Sequence, residues 1–249
     1  MATYRIAIVA LSLGLLPPGV AATDGATAPQ SNASSSVKRA VFARVRASRD
    51  VRELADWVVD SDDSAGLPFV IVDKANAHVF VFDAAGRILG AAPALLGVAR
   101  GDHTVSGIGD REYSDMPPET RTTPAGRFVA TRGMSTRGED VVWVDYDAGV
   151  SLHRVVTTRP EERRLERLAT PTPLDNRISY GCINVPARFY ETVVSPTFAG
   201  GDGIVYVLPE TRPARELFGA RAAAVRPLLS RAGSGTSPAT ARASPGNRD

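Results

Sequence analysis

Short runs of β-branched and aromatic residues, separated by turn residues, dominate the middle of this 249-residue chain. Three such runs follow one another at 69–72, 78–82 and 87–90. Runs of this length and composition are typical of β-strands, and their close spacing predicts a β-meander. We expect further strands at 127–131, 141–146, 150–155 and 204–208. The prediction is a mainly-β fold: a mixed β-sheet or sandwich-like domain with a few short helices.

The segment ahead of the meander has a helical period. Val51, Leu54, Ala55 and Val58 recur at i, i+3, i+4 and i+7, which predicts one apolar face that packs on the following domain. Asp50 and Glu53 have the spacing of a capping box. After residue 212, the stretch 214–229 again looks helical, and the composition beyond 230 predicts disorder.

The N-terminus has the pattern of a secretory signal. Arg5 precedes an apolar run, Ile6 to Leu16, and small residues suited to cleavage follow it near Ala22. The run is too short for the roughly 20 residues that cross a bilayer. We therefore expect residues 1–22 to be a signal peptide, 23–36 a flexible linker and the product an exported protein of the periplasm or cell envelope, with no membrane span in the mature chain.

Charge and metal-ligand counts exclude several classes of function. The formal net charge is only +2, from 29 Lys and Arg against 27 Asp and Glu, which does not indicate a nucleic-acid partner. The single cysteine excludes an intramolecular disulfide, and the three histidines are too scattered to suggest a zinc site. We expect neither metal nor organic cofactor, and the sequence leaves the oligomeric state open.

Two polar segments interrupt the strand pattern. Residues 101–126 are rich in Gly, Pro and Thr, and a loop of that length is a candidate wall of a binding site. Residues 160–168 are densely charged, and we interpret them first as a solvated helical turn held by ion pairs. A contact with an acidic substrate or a partner is the alternative.

The lone thiol of Cys182 requires an explanation, because an unpaired cysteine is a liability in an oxidising compartment. Gly181 precedes it, and Pro186 predicts the first turn of a helix just after it. A helix N-terminus would lower the pKa of the thiol and aim backbone N–H groups at an oxyanion. The alternative is a cysteine that is merely a small buried apolar residue.

A nucleophilic thiol needs a base, and His153 is the candidate at the end of a predicted strand. His78 begins another strand beside a turn, where an edge position explains it. His103 lies in the Gly-rich loop, where a contact with substrate is the less favoured alternative.

These residues carry a family resemblance over the span from Pro68 to about Pro209. His153, followed by Ser179-Tyr180-Gly181-Cys182-Ile183-Asn184, resembles the signature of the L,D-transpeptidase catalytic domain of the YkuD type. Thr123-Pro124-Ala125-Gly126-Arg127-Phe128 is similar to a second element of that family, and 72–82 resembles its first hairpin. Tyr180 stands where the family commonly has His, and the spacer after His153 is longer than usual.

The resemblance implies that residues 67–211 form the catalytic domain, flanked by the helical segment 37–66 and the tail 212–249. It implies Cys182 as the nucleophile and His153 as proton acceptor and donor. Its substrate would be the stem peptide of peptidoglycan, cut between an L-centred diamino acid and D-Ala and then joined to a second stem amine. The backbone of Gly181 and Cys182 would stabilise the oxyanion. Residues expected to bind substrate are Ser179, Tyr180, Asn184 and Arg177, with a structural ion pair as the alternative for Arg177.

Other outcomes remain open at the level of sequence. The acyl-enzyme could be hydrolysed, which would make the protein an L,D-carboxypeptidase. A catalytically weak cell-wall binding domain, or a cysteine peptidase or amidase acting on the same polymer, are the rivals from other classes.

Overall fold

The computed structural model describes residues 37–105 and 115–219. Every strand that the sequence predicted is present in this part of the chain, and three short ones are added. The strands are β1 Phe69–Asp73, β2 His78–Phe82, β3 Ile88–Pro93, β4 Leu96–Gly97, β5 Gly126–Met134, β6 Asp140–Asp145, β7 Val150–Arg154, β8 Arg177–Ser179, β9 Ile183–Val185 and β10 Gly203–Val207. The mainly-β fold class with a mixed sheet and a few short helices is confirmed.

Eight strands form one sheet in the order β3-β2-β1-β10-β5-β6-β7-β9, and β4 pairs with β8 beside it. The pairs β1/β10, β7/β9 and β4/β8 are parallel, whereas the other pairs are antiparallel. Leu95, just beyond β3, exchanges backbone hydrogen bonds of 2.8 and 2.9 Å with Asn184 of β9. The sheet therefore curls until its two edges are linked, and the end of β7 lies next to β9.

Both faces of the sheet are covered. Along β1, Phe69 and Ile71 belong to one apolar cluster, while Val70 and Val72 belong to another. Because successive side chains of a strand point to opposite faces, all five residues of β1 are buried. Double coverage explains why this strand reads as a continuous apolar run rather than an alternating one.

Helix α1, Arg49–Ser61, covers one face with Val51, Leu54, Ala55 and Val58, all of them buried as the periodicity predicted. The predicted capping box is wrong. Ser48 is the N-cap, and its Oγ accepts from the Val51 N–H at 3.3 Å while donating to Asp73 Oδ2 at 2.7 Å. A serine that caps the helix and ties it to β1 leaves Glu53 to pair with Arg49 at the surface.

The opposite face is covered by a helical run after β9, made of the pieces Ala187–Phe189, Tyr190–Val194 and Ser195–Thr197. The sequence predicted a helix with Pro186 in its first turn and Cys182 just ahead of it. The start near Pro186 is confirmed, but the prediction that Cys182 lies at the N-terminus of this helix is wrong. Residues 183–185 form β9, and Pro186 is the N-cap of the helix. Ile183 and Val185 pair with Leu152 and Arg154 of β7, so a strand separates the cysteine from the helix.

Several sequence predictions fall outside the described residues: the signal peptide 1–22, the linker 23–36 and the tail beyond 219. Residues 214–219 are helical, in agreement with the start of the predicted tail helix. Within 37–105 and 115–219, no helix has the length and apolarity needed to cross a bilayer.

Candidate active site

A cleft of about 220 Å³ opens where β7, β9 and the turn between β8 and β9 meet. Its walls are the tip of the β5–β6 hairpin on one side and the connection 156–164 on the other. The cleft brings together most of the residues that the sequence singled out. Those that line it are His153, Ser179, Tyr180, Cys182 and Asn184, joined by Ser151.

The turn that carries Cys182 depends on Gly181. This glycine has φ of +132°, and a Cβ on it would lie 2.9 Å from the Thr122 carbonyl oxygen. Its carbonyl accepts from the Thr123 hydroxyl at 2.8 Å, and the same hydroxyl accepts from the Gly97 N–H at 2.9 Å. Residues 122–123, from the predicted Gly-rich wall, therefore support the turn from behind instead of lining the cleft.

Ser179 closes the turn from within. Its Oγ donates to the Cys182 carbonyl at 2.6 Å and accepts from the Gly181 N–H at 3.2 Å. The Gly181 N–H is therefore engaged, and the helix expected to aim it at an oxyanion begins only after β9. The prediction that the Gly181 N–H stabilises an oxyanion assumed a free N–H at a helix N-terminus, and the structure shows neither.

His153 is fixed by its own strand end. Its Nδ1 lies 2.7 Å from the Arg154 carbonyl oxygen, which is the arrangement of an Nδ1–H that donates to that carbonyl. The alternate positions Ser151 and His153 face the cleft, while Leu152 between them is in the core. Burial lowers the pKa of His153, but its hydrogen bond to Cys182 and the thiolate charge outweigh this and leave the pKa raised.

The thiol of Cys182 shows the matching effect. Burial raises its pKa, but the hydrogen bond and the charge of His153, helped by Ser151, bring the pKa below its ordinary value. Ser151 Oγ lies 3.7 Å from the sulfur, and the Gly149 carbonyl accepts from the thiol at 3.5 Å. Both shifts favour the charged form of the group, a thiolate on Cys182 and an imidazolium on His153.

Asn184 connects the two parts of the site. It lies opposite His153 in the parallel β7–β9 register. Its Nδ2 donates to the Cys182 carbonyl at 3.3 Å, and its Oδ1 accepts from Arg164 Nη1 at 2.9 Å. The side chain is almost wholly buried and acts as a brace between the turn and the charged segment.

The charged segment is more than a solvated turn. It folds as a 3₁₀ turn, Pro160–Glu162, and helix α2, Arg164–Ala169. Arg159, Glu162 and Arg164 line the cleft, whereas Arg163 and Glu166 pair on the exposed side. The longer spacer noted in the sequence thus becomes a wall of the site.

Arg177 lies away from the cleft. It forms a two-pronged ion pair with Glu210 and donates to the Lys74 carbonyl at 2.9 Å. Its side chain is 9% exposed. The structural ion pair, the alternative to substrate binding, is the arrangement observed.

Tyr180 presents its ring to a cation. The Arg121 guanidinium carbon lies 4.1 Å from the ring centroid, and Arg121 also donates to the Met116 carbonyl at 2.8 Å through Nε. His78 lies beside its turn, with Nδ1 3.1 Å from the Asn76 carbonyl, and His103 is exposed. Neither histidine lines the cleft.

The sequence analysis did not predict that Ser151 and Arg164 line the cleft. The signal for Ser151 was its position two residues before His153, on the same face of one strand. For Arg164 no comparable signal exists, because six other charged residues surround it in 159–168 and only folding selects which of them line the cleft. Within the described residues, no group of three or more His, Cys, Asp or Glu side chains has the arrangement of a metal site.

Comparison with known proteins gives matches at the level of structure. No protein-family model matches the chain, and no curated protein sequence does. An L,D-transpeptidase from Enterococcus faecium is 17% identical, with a TM-score of 0.34 over 57% of this chain and 49% of that chain. One from Xylanimonas cellulosilytica is 16% identical, with a TM-score of 0.34 over 57% and 60%.

A third match is the helical cell shape determining protein Pgp2 from Campylobacter jejuni. It is 13% identical, with a TM-score of 0.40 over 74% of this chain and 64% of that chain. These are likenesses to L,D-transpeptidases and a cell-shape protein. The chain spans less than two thirds of the length of each of the three, and the function proposed below rests on the residues of the cleft.

Proposed function

We propose that this protein is a cysteine acyltransferase that acts on peptidoglycan stem peptides as an L,D-transpeptidase. The proposal rests on two supports: the sequence signature around Cys182 and the chemistry of the cleft. The single observation that carries it is that the Cys182 thiol and the His153 imidazole line the same open cleft and form a hydrogen bond, which moves their pKa values in opposite directions. A domain that only bound the cell wall would gain nothing from such a pair.

In the first step, the Cys182 thiolate attacks the carbonyl carbon of the L-centred diamino acid in a stem tetrapeptide. A C–S bond forms, the carbonyl electrons move to oxygen, and His153 holds the thiol proton. Collapse of the tetrahedral intermediate breaks the C–N bond, and the imidazolium returns its proton to the leaving D-Ala amine. The Nδ1 contact with the Arg154 carbonyl keeps Nε2 as the atom that exchanges the proton.

The oxyanion needs N–H donors at the turn. Because Ser179 engages the Gly181 N–H, we assign the main donor role to the Cys182 N–H. The Ser179 hydroxyl, which holds both the Gly181 N–H and the Cys182 carbonyl, acts as a positioning group for this turn.

In the second step, the thioester passes its acyl group to an amine. An amine of a second stem gives a cross-link and regenerates the thiol, with His153 accepting the proton of the nucleophile. Water in place of the amine gives hydrolysis, the carboxypeptidase outcome. Export to the periplasm or cell envelope, inferred from residues 1–22, would place the protein with this substrate.

Intact-protein mass spectrometry tests the proposal. The protein is incubated with a disaccharide tetrapeptide, and we expect a mass gain equal to the donor minus D-Ala, followed by cross-linked dimers in the product mixture. Cys182→Ala should show neither, while its melting temperature changes much less than for a core truncation, since the residue is held for its thiolate.

Two results would contradict the proposal. Turnover retained by Cys182→Ala would mean that the thiol is not the nucleophile. Cleavage elsewhere in the muropeptide, at an amide other than the D-Ala bond, would identify a cysteine peptidase or amidase instead.

A further inference from the structure

The connection after β7 places the Arg164 guanidinium at the cleft. Helix α2 packs through Leu168 on Leu95 and Val155. Arg164 is four residues before Leu168, so both side chains point to the same side of the helix, toward the domain. Arg167 holds the helix in place by donating to the Glu162 carbonyl at 2.8 Å and to the Asp175 carbonyl at 2.6 Å. The position of Arg164 is therefore set by packing.

Arg164 is held at two points. Its Nη1 donates to Asn184 Oδ1 at 2.9 Å, and its Nε pairs with the Glu162 carboxylate. The side chain is 12% exposed, and that exposed part lies on the cleft. A guanidinium has five N–H groups, and Asn184 and Glu162 are its hydrogen-bond partners among the described residues. Donors remain for a ligand in the cleft.

The charged side chains of the α2 wall have a net positive charge. Arg159 and Arg164 share the single carboxylate of Glu162, at 3.6 Å for Arg159. The facing hairpin contributes Arg137 and Glu139, one charge of each sign. The cleft beside Cys182 therefore favours an anion on the side of α2, and a planar fork of N–H donors suits a carboxylate.

We infer that Arg164 binds a carboxylate of the acyl donor and so determines which stem peptides react. The inference rests on the proposed function, because it concerns the substrate of the same cleft. Asn184 links Arg164 to the Cys182 carbonyl, which puts the bound carboxylate close to the bond that is cut. Arg159 is a weaker candidate, since its side chain is 62% exposed and does not contact Asn184.

The experiment compares three tetrapeptide donors by their rate of acyl-enzyme formation. One has both carboxylates free, the second has the side-chain carboxylate of the diamino acid as an amide, and the third has the terminal D-Ala carboxylate as an amide. We expect the wild type to lose about tenfold to a hundredfold in rate with one amidated donor, the range for a charged hydrogen bond. The donor that loses rate identifies the carboxylate.

Three variants test whether Arg164 causes this preference. Arg164→Gln should react with the free-acid donor about as slowly as the wild type reacts with the amidated donor that it disfavours. The variant should therefore no longer distinguish the free-acid donor from that amide. The matched control Arg159→Gln, from the same wall, should retain the preference. Arg164→Lys keeps the charge without the fork and should retain part of it, which covers the case in which Arg164→Gln fails to fold.

Three outcomes would overturn the inference. Equal rates of the wild type with all three donors would show that neither carboxylate next to the bond that is cut is recognised, and discrimination that survives in Arg164→Gln would assign it to another residue. A proportional loss in the alkylation of Cys182 by neutral iodoacetamide in Arg164→Gln would mean that Arg164 acts only through Asn184. Absence of any acyl-enzyme, with Cys182 still alkylated, would instead overturn the proposed function and the inference with it.

Discussion

Cys182 and His153 each shift the pKa of the other, because a thiolate and an imidazolium stabilise one another in a site where burial alone would keep both neutral. The histidine favours the thiolate form of Cys182, and the thiolate in turn favours the protonated form of His153. Ser151, 3.7 Å from the sulfur, adds a hydroxyl to the same partnership. At the scale of residues, the site is therefore a coupled pair rather than a lone activated cysteine.

Removal of the histidine tests this coupling. We expect His153→Ala to raise the pH at which Cys182 is alkylated, because the group that lowers the thiol pKa is gone while burial, which raises it, remains. Alkylation by iodoacetamide across a pH series gives the profile. An unchanged profile would mean that another group activates the thiol, and His103→Ala serves as the matched control.

Tyr180 provides a second test at the scale of residues. The contact between the Arg121 guanidinium and the Tyr180 ring needs only the ring, which phenylalanine retains. Tyr180→Phe should therefore lower the acylation rate by less than about tenfold, the value of one neutral hydrogen bond. A loss of about 10²-fold or more, with His153 intact and the protein folded, would assign a proton-transfer role to the phenol.

At the scale of elements, the turn between β8 and β9 sets the position of Cys182. It replaces the helix N-terminus that the sequence predicted, because Ile183 and Val185 extend the sheet beside β7 and postpone the helix to Ala187. Cys182 is therefore held by a tight turn whose carbonyls and N–H groups are bound by Ser179 and Thr123. The turn requires Gly181 because its backbone packs closely against residue 122.

Gly181 and Gly201 form a matched pair for testing the turn. Their φ values are +132° and +131°, but a Cβ would meet the Thr122 carbonyl oxygen at 2.9 Å only at Gly181. Gly201→Ala should cost about 1–3 kcal/mol of unfolding free energy from backbone strain. Gly181→Ala should cost at least about 1 kcal/mol more from overpacking, and should slow the alkylation of Cys182.

Urea unfolding and iodoacetamide kinetics on both variants measure these effects. Equal losses in the two variants would show that the contact with residue 122 is unimportant for the turn.

At the scale of the whole molecule, a buried charge cluster joins segments that are far apart in sequence. Lys74 Nζ donates to Asp102 Oδ1 and to the Thr123 carbonyl, both at 2.9 Å, and neither charged side chain is exposed. Glu210 pairs with Arg177, which lies in β8, the strand just before the turn of Cys182. Two cations and two anions balance, and Thr123 connects the cluster to Gly181.

The pH dependence of stability should report on this cluster. Burial raises the pKa of Asp102, but hydrogen bonds from Thr211, Lys74 and the Glu210 N–H outweigh it and leave the pKa far below its ordinary value. The folded carboxylate therefore contributes stability that is present above about pH 4, the unfolded value, and is lost as pH falls toward the lower folded value.

Asp102→Asn should lose about 3–5 kcal/mol at pH 7, since Lys74 loses its closest counter-charge. It should also lose less further stability than the wild type between about pH 4 and pH 2. Urea unfolding at several pH values measures both effects, with the exposed Asp147→Asn as the control. Parallel pH profiles in the wild type and Asp102→Asn would contradict the assignment.

The sequence by itself determined the seven longer strands, the apolar face of α1 and the two catalytic candidates. Those features depend on local period and residue type: the β-branched and aromatic runs at 69–72 and 78–82, the 3.6-residue repeat of α1, and a lone thiol with one suitably placed histidine. Each can be read from neighbours in the chain, because side-chain direction repeats with the backbone.

Tertiary structure alone decided which arginine faces the cleft, which N–H groups stay engaged and where the helix after Cys182 begins. Arg177 looked close to the nucleophile in sequence, but Glu210, 33 residues away, holds it in an ion pair, while Arg164 reaches Asn184 across 20 residues. The physical reason is that a charged or polar side chain has several partners of similar energy, and burial selects among them only after the sheet has closed.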